Sequence, residues 1–427
     1  MLDFPSSPTN GQKYPATPQA GIPTYTWDGE KWITAPGAIG GAKAVLSDGS
    51  IPMTAQLKVV NPPAVATDAA AKGYVDAFAA PMDALAYSGM QINGSCDVSQ
   101  EFGFNGNGVL VTQSVNRYVC DGWIGVNSCA TGVAQFTVSA MGSTPNMGNH
   151  INTLQMWPTT VQATMGASDH VRFNNIIEGY RFSRVGWGTS NAVPVTIGFW
   201  FRASKAGDYR VVMMSQGGDV TPWMPFTLAV AGTTFQWVTI TFQPMTTGTW
   251  LKDNRAGAHV IFELTSNATP NLMASLSDYV SITGLIVLPG LYAPSAARAP
   301  FIMRPFNDEI VLCQRYYEKT YPMIDLPGAV YGNYNGSGTS LMEEVQAPGA
   351  AYKAIHWPFT VLKRVAPTSK SYSPQTGAVG TIAVAGIGDV PAAVQQNSES
   401  SVVFVVNNTT INSFTNIACH AIADARI

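Results

Sequence analysis

The chain has 427 residues, 11% of them charged and 46% hydrophobic, with a net charge of −3; ordinary soluble domains are about 25% charged. The apolar share rules out a disordered chain, and a weak net charge without a basic patch argues against nucleic acid as a partner. No apolar run approaches the roughly 18 residues of a membrane span, and the start Met1-Leu2-Asp3-Phe4-Pro5 lacks a signal-peptide pattern, so synthesis in a cytoplasm, without membrane insertion, is expected.

The length predicts two or three domains with their own cores. In residues 1–60, Asp28-Gly29 lies between the aromatic positions Tyr25, Trp27 and Trp32, a hairpin signal because glycine tolerates positive φ. So short a segment is expected to pack on a partner or a sister chain. Asn61-Pro62-Pro63 then favours an extended chain. A short helix is predicted near 67–79: Thr67 or Asp68 caps it, Tyr74, Val75 and Phe78 share a face, and Pro81 ends the run. Such a helix is marginal alone, and three copies around one axis would bury its stripe.

From about residue 90 the pattern is strand after strand. Val195, Ile197, Phe199 and Phe201 alternate with Thr196, Gly198, Trp200 and Arg202. Val238, Ile240 and Phe242 alternate with Trp237, Thr239 and Thr241, and Val260, Phe262 and Leu264 with Ile261 and Glu263. Turn clusters at 205–208, 216–219 and 246–249 separate them. The expected fold is mainly β, with a jelly-roll-like β-sandwich over 91–306. A second helix is predicted near 307–319, capped by Asn307, with Asp308 and Glu309 at its positive end and Ile310, Cys313, Tyr316 and Tyr317 on one face. Strands return to the C-terminus, including Ile355 to Leu362, Val402 to Val406 and residues 419–427, so that 307–427 reads as this helix plus a C-terminal β domain.

Candidate chemistry is sparse. The cysteines Cys96, Cys120, Cys129, Cys313 and Cys419 are odd in number and form no CxxC, which argues against a disulfide framework and a zinc site, although Cys120 and Cys129 can meet across a hairpin. The histidines His150, His170, His259, His356 and His420 make neither HxH nor HExxH, so no metal is expected. A glycosidase needs two carboxylates about 5 to 10 Å apart. Glu178, Asp208, Asp253, Glu263, Glu318, Glu343 and Glu344 are scattered, with Glu263, Glu343 and Glu344 reading as solvated surface. No GxSxG elbow or GxxxxGK[ST] loop occurs, and Tyr331 to Gly338 reads as a turn-rich loop. The expectation is a chain with no catalytic residues and no cofactor. Sugars stack on Trp and Tyr rings, so Trp187 and Trp223, both near turn signals, are the candidates for glycan binding. The competing reading is that these rings, like Trp200 and Trp250 at strand positions, fill the core or a trimer interface.

Several stretches carry a family resemblance. Ala66 to Phe78 resembles the "TDAATKAYVD" element of phage tail fibres. Ile176 to Trp187 is similar to the "IEGY" strand of a fibre β-sandwich module, and Ile197 to Tyr209 to its "FWVRASKAGTY" strand-turn. Thr246 to Trp250 with Asp253-Asn254 is similar to its "TTGTW…DN" loop, and Leu312 to Lys319 to its "LCQRYYEK" helix. Cys120-Asp121-Gly122-Trp123 fits its early "DGW" strand, and Val365 to Thr368 with Ala423 to Ile427 fits the closing segments. The resemblance implies a non-enzymatic bacteriophage tail fibre: a homotrimeric virion component whose carbohydrate-binding-like sandwich attaches to a host-surface polysaccharide. It also implies that residues 1–60 anchor to other virion proteins and that 61–90 form a shaft near the three-fold axis. A collar, neck or head appendage with a purely structural role is the alternative.

Overall fold

A computed structural model describes residues 4–17, 23–34, 89–104, 108–140, 147, 149–296, 299–333, 338–345, 353–406 and 415–427. The expected helix near 67–79 and the shaft around it lie outside the described residues, as do positions 334–337 of the Tyr331 to Gly338 loop. The chain divides into two units, Met1–Val75 and Asp76–Ile427.

The first unit is an antiparallel three-stranded sheet of β1 (Lys13–Tyr14), β2 (Tyr25–Trp27) and β3 (Trp32–Thr34). The predicted hairpin is its β2–β3 turn. Asp28 Oδ1 accepts from the backbone N–H groups of Glu30 and Lys31, and Gly29 sits at φ +109°. Phe4 stacks on Trp32 and meets Tyr14 and Tyr25 at 5.1 Å, so aromatic rings supply most of this small core.

The second unit opens on a jelly-roll-like sandwich of two six-stranded antiparallel sheets. Its strands are β4 (Val109–Val111), β5 (Val115–Cys120), β6 (Trp123–Asn127), β7 (Val133–Ala140), β8 (Asn152–Thr160), β9 (His170–Glu178), β10 (Val195–Ala203), β11 (Gly207–Met214), β12 (Met224–Leu228), β13 (Gln236–Phe242), β14 (Ala256–Ser266) and β15 (Val280–Pro289). One sheet runs β13-β10-β15-β8-β7-β4 and the other β12-β11-β14-β9-β6-β5. The chain crosses between them repeatedly, so each strand's alternating apolar side closes on the other sheet. Phe199 meets Phe262 at 4.9 Å and Phe226 at 5.2 Å, and Phe136 meets Phe173 at 5.5 Å, all buried between the layers.

Beyond the sandwich the predicted helix forms, with different bounds. It spans Phe306–Gln314, five residues short of the expected end, and Tyr317–Lys319 is instead a strand, β16. The end is set by tertiary pairing: Tyr317 to Lys319 take partners on β24 (Thr415–Asp424). The cap position is Pro305, not Asn307, and its carbonyl accepts from the N–H groups of Asp308 and Glu309. Strand β24 also pairs with β17 (Leu341–Val345), β19 (Thr368–Tyr372) and β20 (Thr381–Val384), with β21 (Gly388–Pro391) beyond β20. A three-stranded sheet of β18 (Lys353–Pro358), β23 (Ser401–Val406) and β22 (Ala393–Asn397) completes the domain. Ile355, Trp357, Val402, Phe404, Ile417 and Cys419 are among its core residues.

Five of the stretches that carried the resemblance, those holding Asp121, Glu178, Asn254, Arg315 and Arg426, meet where the sandwich joins the strands that follow it. Glu178, at the end of β9, takes Arg315 at 2.7 and 3.0 Å and the Tyr316 hydroxyl at 2.6 Å. Asn254 donates to the Arg364 carbonyl, and Arg364 donates to the carbonyls of Ala425 and Arg426. Asp121 accepts from the Gln100 backbone and side chain, and Gln100 reaches the Tyr317 carbonyl. Arg426 pairs with Asp424 and Glu101 and lies 4.5 Å from the Tyr118 and Tyr317 rings. These residues tie the sandwich to the strands that follow it within the unit Asp76–Ile427.

All five cysteines are buried and free. The possible Cys120–Cys129 bridge is therefore absent, and Cys120 instead has the Cys96 thiol as a hydrogen-bond neighbour.

Buried titratable groups set an acid response. Burial holds His150, His259 and His420 down at about 4 and lowers His170 as well. A histidine depressed below its ordinary 6.5 contributes stability that is complete above that pH and is lost as the pH falls through the folded value. Asp121, pushed up to about 6 by burial, acts oppositely: its share grows as the pH falls from 6 towards 3.8, and Asp97 moves the same way. Four histidines against two aspartates should give a net loss. The urea midpoint is expected to fall between pH 6.5 and pH 4; a midpoint that stayed level would show that these rings titrate freely.

Candidate functional site

The alternation that packs β9, β11 and β14 also decides what their outer faces carry. On each strand a charged residue falls at an outward position: Arg172 on β9, Arg210 on β11 and Glu263 on β14. Strand register sets the three side by side, since Glu263 is opposite Arg210 on one flank and Arg172 on the other. Glu263 Oε2 accepts from Arg172 Nε at 3.1 Å and Nη2 at 2.7 Å. Glu263 Oε1 accepts from Arg210 Nε at 2.7 Å and pairs with its Nη2. Burial pushes the Glu263 carboxyl up, but hydrogen bonds and the neighbouring guanidinium charge outweigh it and hold the group below the usual carboxylate range. The Glu263 side chain is 1% exposed, those of Arg172 and Arg210 25% and 29%. The expectation that Glu263 is solvated surface is corrected: an ionised carboxylate this buried persists because it is doubly paired.

Trp223 completes the group. It lies just before β12, two residues from Pro225, which is opposite Arg210, so alternation returns its side chain to the Arg210 face. Its ring is half-buried, with the Arg210 guanidinium 4.6 Å and that of Arg172 5.3 Å from its centroid. Cations over the ring fix its orientation. Next along the sheet, Asn174 and His259 leave Oδ1 and Nδ1 without a hydrogen-bond partner. The resulting face has one anchored aromatic ring and two partly exposed arginine side chains, which is what stacking and hydrogen bonding to a polyhydroxylated ligand require.

Trp187 is not on this face. It is 1% exposed, packed edge-on against Trp250 at 4.6 Å and Phe182 at 5.3 Å, and its indole N–H donates to the Val193 carbonyl at 2.7 Å. The expectation that it is available to a glycan is corrected. Gly186 and Gly188, at φ +64° and +81°, turn the chain so that the ring enters the sandwich instead of crowning a loop. Trp200 and Trp250 are likewise buried, as are Tyr316 and Tyr317, whose packing role was expected. Glu343 is exposed. Sequence reading passed over Arg172 and Arg210. The available signal was an arginine on the outward side of a strand whose inward side is largely apolar.

Among the described residues, no three His, Cys, Asp or Glu side chains are placed to hold a metal ion, and no helix is long and apolar enough to cross a membrane.

No protein-family model and no curated protein matches the chain. Solved structures similar to it include the enzymatically active domain of tailspike protein 4 of bacteriophage CBA120, at 13% identity and TM-score 0.27, matching 48% of this chain and 22% of that one. An arabinose-bound α-L-arabinofuranosidase matches at 13% identity and TM-score 0.27, over 49% of this chain and 30% of its own. The family 11 carbohydrate-binding module of Clostridium thermocellum matches at 10% identity and TM-score 0.25, over 43% of this chain and 100% of its own. This chain thus spans less than a third of the first two. The expectation of a non-enzymatic chain is corrected: the structures similar to it include enzymes as well as carbohydrate-binding modules.

Proposed function

We propose that the chain is the subunit of a bacteriophage fibre that attaches to a host-surface glycan through the outer face of the β12-β11-β14-β9-β6-β5 sheet. Trp223, held flat by Arg172 and Arg210, is the observation that carries this reading: a ring fixed by charge, at the surface of a rigid sheet, stacks on a sugar at little entropic cost. In this reading the chain acts as a homotrimer in the virion, assembled in the host cytoplasm, with residues 1–60 anchored to other virion proteins. The ordered resemblance from Ala66 to Ile427 supports that assignment.

The test is a glycan array on the full chain, repeated with Trp223→Ala. Binding should fall on the order of tenfold or more, as for loss of a stacking anchor, while thermal unfolding stays unchanged. The same wells read for new reducing ends report any hydrolysis. A Trp223→Ala variant that binds the array like the parent chain would sink the assignment of the face. Sedimentation should give about three times 45.4 kDa; a monomer would remove the trimer.

A further inference from the structure

The same face also indicates the kind of sugar, and this step rests on the glycan-binding reading above. Glu263 lies beneath its partners, 1% exposed, whereas the guanidinium groups over it are a quarter or more exposed. What the face presents beside Trp223 is therefore N–H donors, with their matching acceptor underneath. Each arginine spends Nε and Nη2 on Glu263 and keeps Nη1 for another acceptor. Asp208, two residues along β11, is an exposed carboxylate on the same side, and its Oδ1 is engaged by the Thr227 hydroxyl at 2.5 Å. A second acceptor arriving at Trp223 meets two cationic donors, and the carboxylate between them, Glu263, lies buried beneath and is already paired.

We infer that the ligand is an acidic glycan, one whose sugar units carry a carboxylate that bridges Nη1 of Arg172 and Nη1 of Arg210 while the ring stacks on Trp223. Both guanidinium groups are pre-oriented by Glu263, so little side-chain freedom is lost on binding. A neutral sugar offers only hydroxyls to these donors, whereas a carboxylate adds the Coulombic attraction of a full negative charge. The attraction should also weaken with salt, because the donors are partly exposed.

The experiment is titration calorimetry of the full chain with trigalacturonate and with sialyllactose, each beside its carboxyl-reduced counterpart, and with a sugar phosphate. At least one carboxylated probe should bind on the order of tenfold tighter than its reduced form, and the preference should shrink as salt is raised. Arg210→Gln should abolish the preference, lowering the affinity of the carboxylated probe on the order of tenfold more than that of its reduced form. Because that change strips Glu263 of a partner, Arg210→Gln with Glu263→Gln is measured alongside it; this variant keeps the net charge of the row unchanged and should lose the preference equally. Equal, Trp223-dependent affinity for carboxylated and reduced probes would overturn the acidic class and leave the glycan reading standing. Tighter binding of the sugar phosphate than of either carboxylate would replace carboxylate with phosphate. No binding of any probe, with no effect of Trp223→Ala on the array, would overturn both.

Discussion

Trp187→Ala is expected to lower folding stability by about 4 kcal/mol, in the range for emptying an aromatic site in a core. The ring is enclosed by Trp250 and Phe182, so the cavity has stiff aromatic walls that collapse poorly. The loss also strips the Val193 carbonyl of its indole donor. Relaxation by the neighbouring turn is restricted as well: a Cβ on Gly188 would lie 2.6 Å from the Gly248 carbonyl, so the backbones are already in contact there. The midpoint and slope of urea denaturation, compared with the parent chain, measure the effect. A change below about 1 kcal/mol, the size seen for ordinary surface substitutions, would show that this ring is not core. The contrast with Trp223→Ala separates the two tryptophans that looked equivalent: one substitution should cost stability, the other affinity.

Glu178→Ala should cost about 3 kcal/mol, because it removes the acceptor from a buried pair and leaves its donors behind. Arg315 would lose both hydrogen bonds to the carboxylate, and the Tyr316 hydroxyl would be shut in without a partner. Tyr316→Phe removes one donor and should cost nearer 1 kcal/mol, the net worth of a single hydrogen bond. The effect should be regional. Limited proteolysis should cut the Glu178→Ala chain faster around 315–365, where Arg315 and Arg364 tie the C-terminal domain to the sandwich. A Glu178→Ala/Arg315→Ala cycle with no coupling would mean that the pair contributes nothing specific.

These two positions also show how far the sequence could be read. The strands around Ile197, Val238 and Val260 were legible because alternation is local: period two reports a half-buried strand wherever it falls. Its limit was the helix end at Gln314, where apolar spacing continued through Tyr317 but β24 captured Tyr317 to Lys319. Tertiary pairing overrode helical propensity there. Glu178 was visible as a scattered carboxylate and as part of a resembling motif, but nothing local says that its carboxylate meets Arg315, 137 positions away.

By itself the sequence determined a mainly β chain: scarce charge, abundant glycine and proline, and repeated alternation leave little else to form. It also marked Trp223 and Trp187 as aromatic rings beside turns. Only the tertiary structure decided between them, because a ring's exposure depends on which surface its turn folds against, and glycines at positive φ send Trp187 inward. The row of Arg172, Glu263 and Arg210 was decided the same way. Each residue belongs to a different strand, and cross-strand register is a non-local property that brings the three charges into one contact.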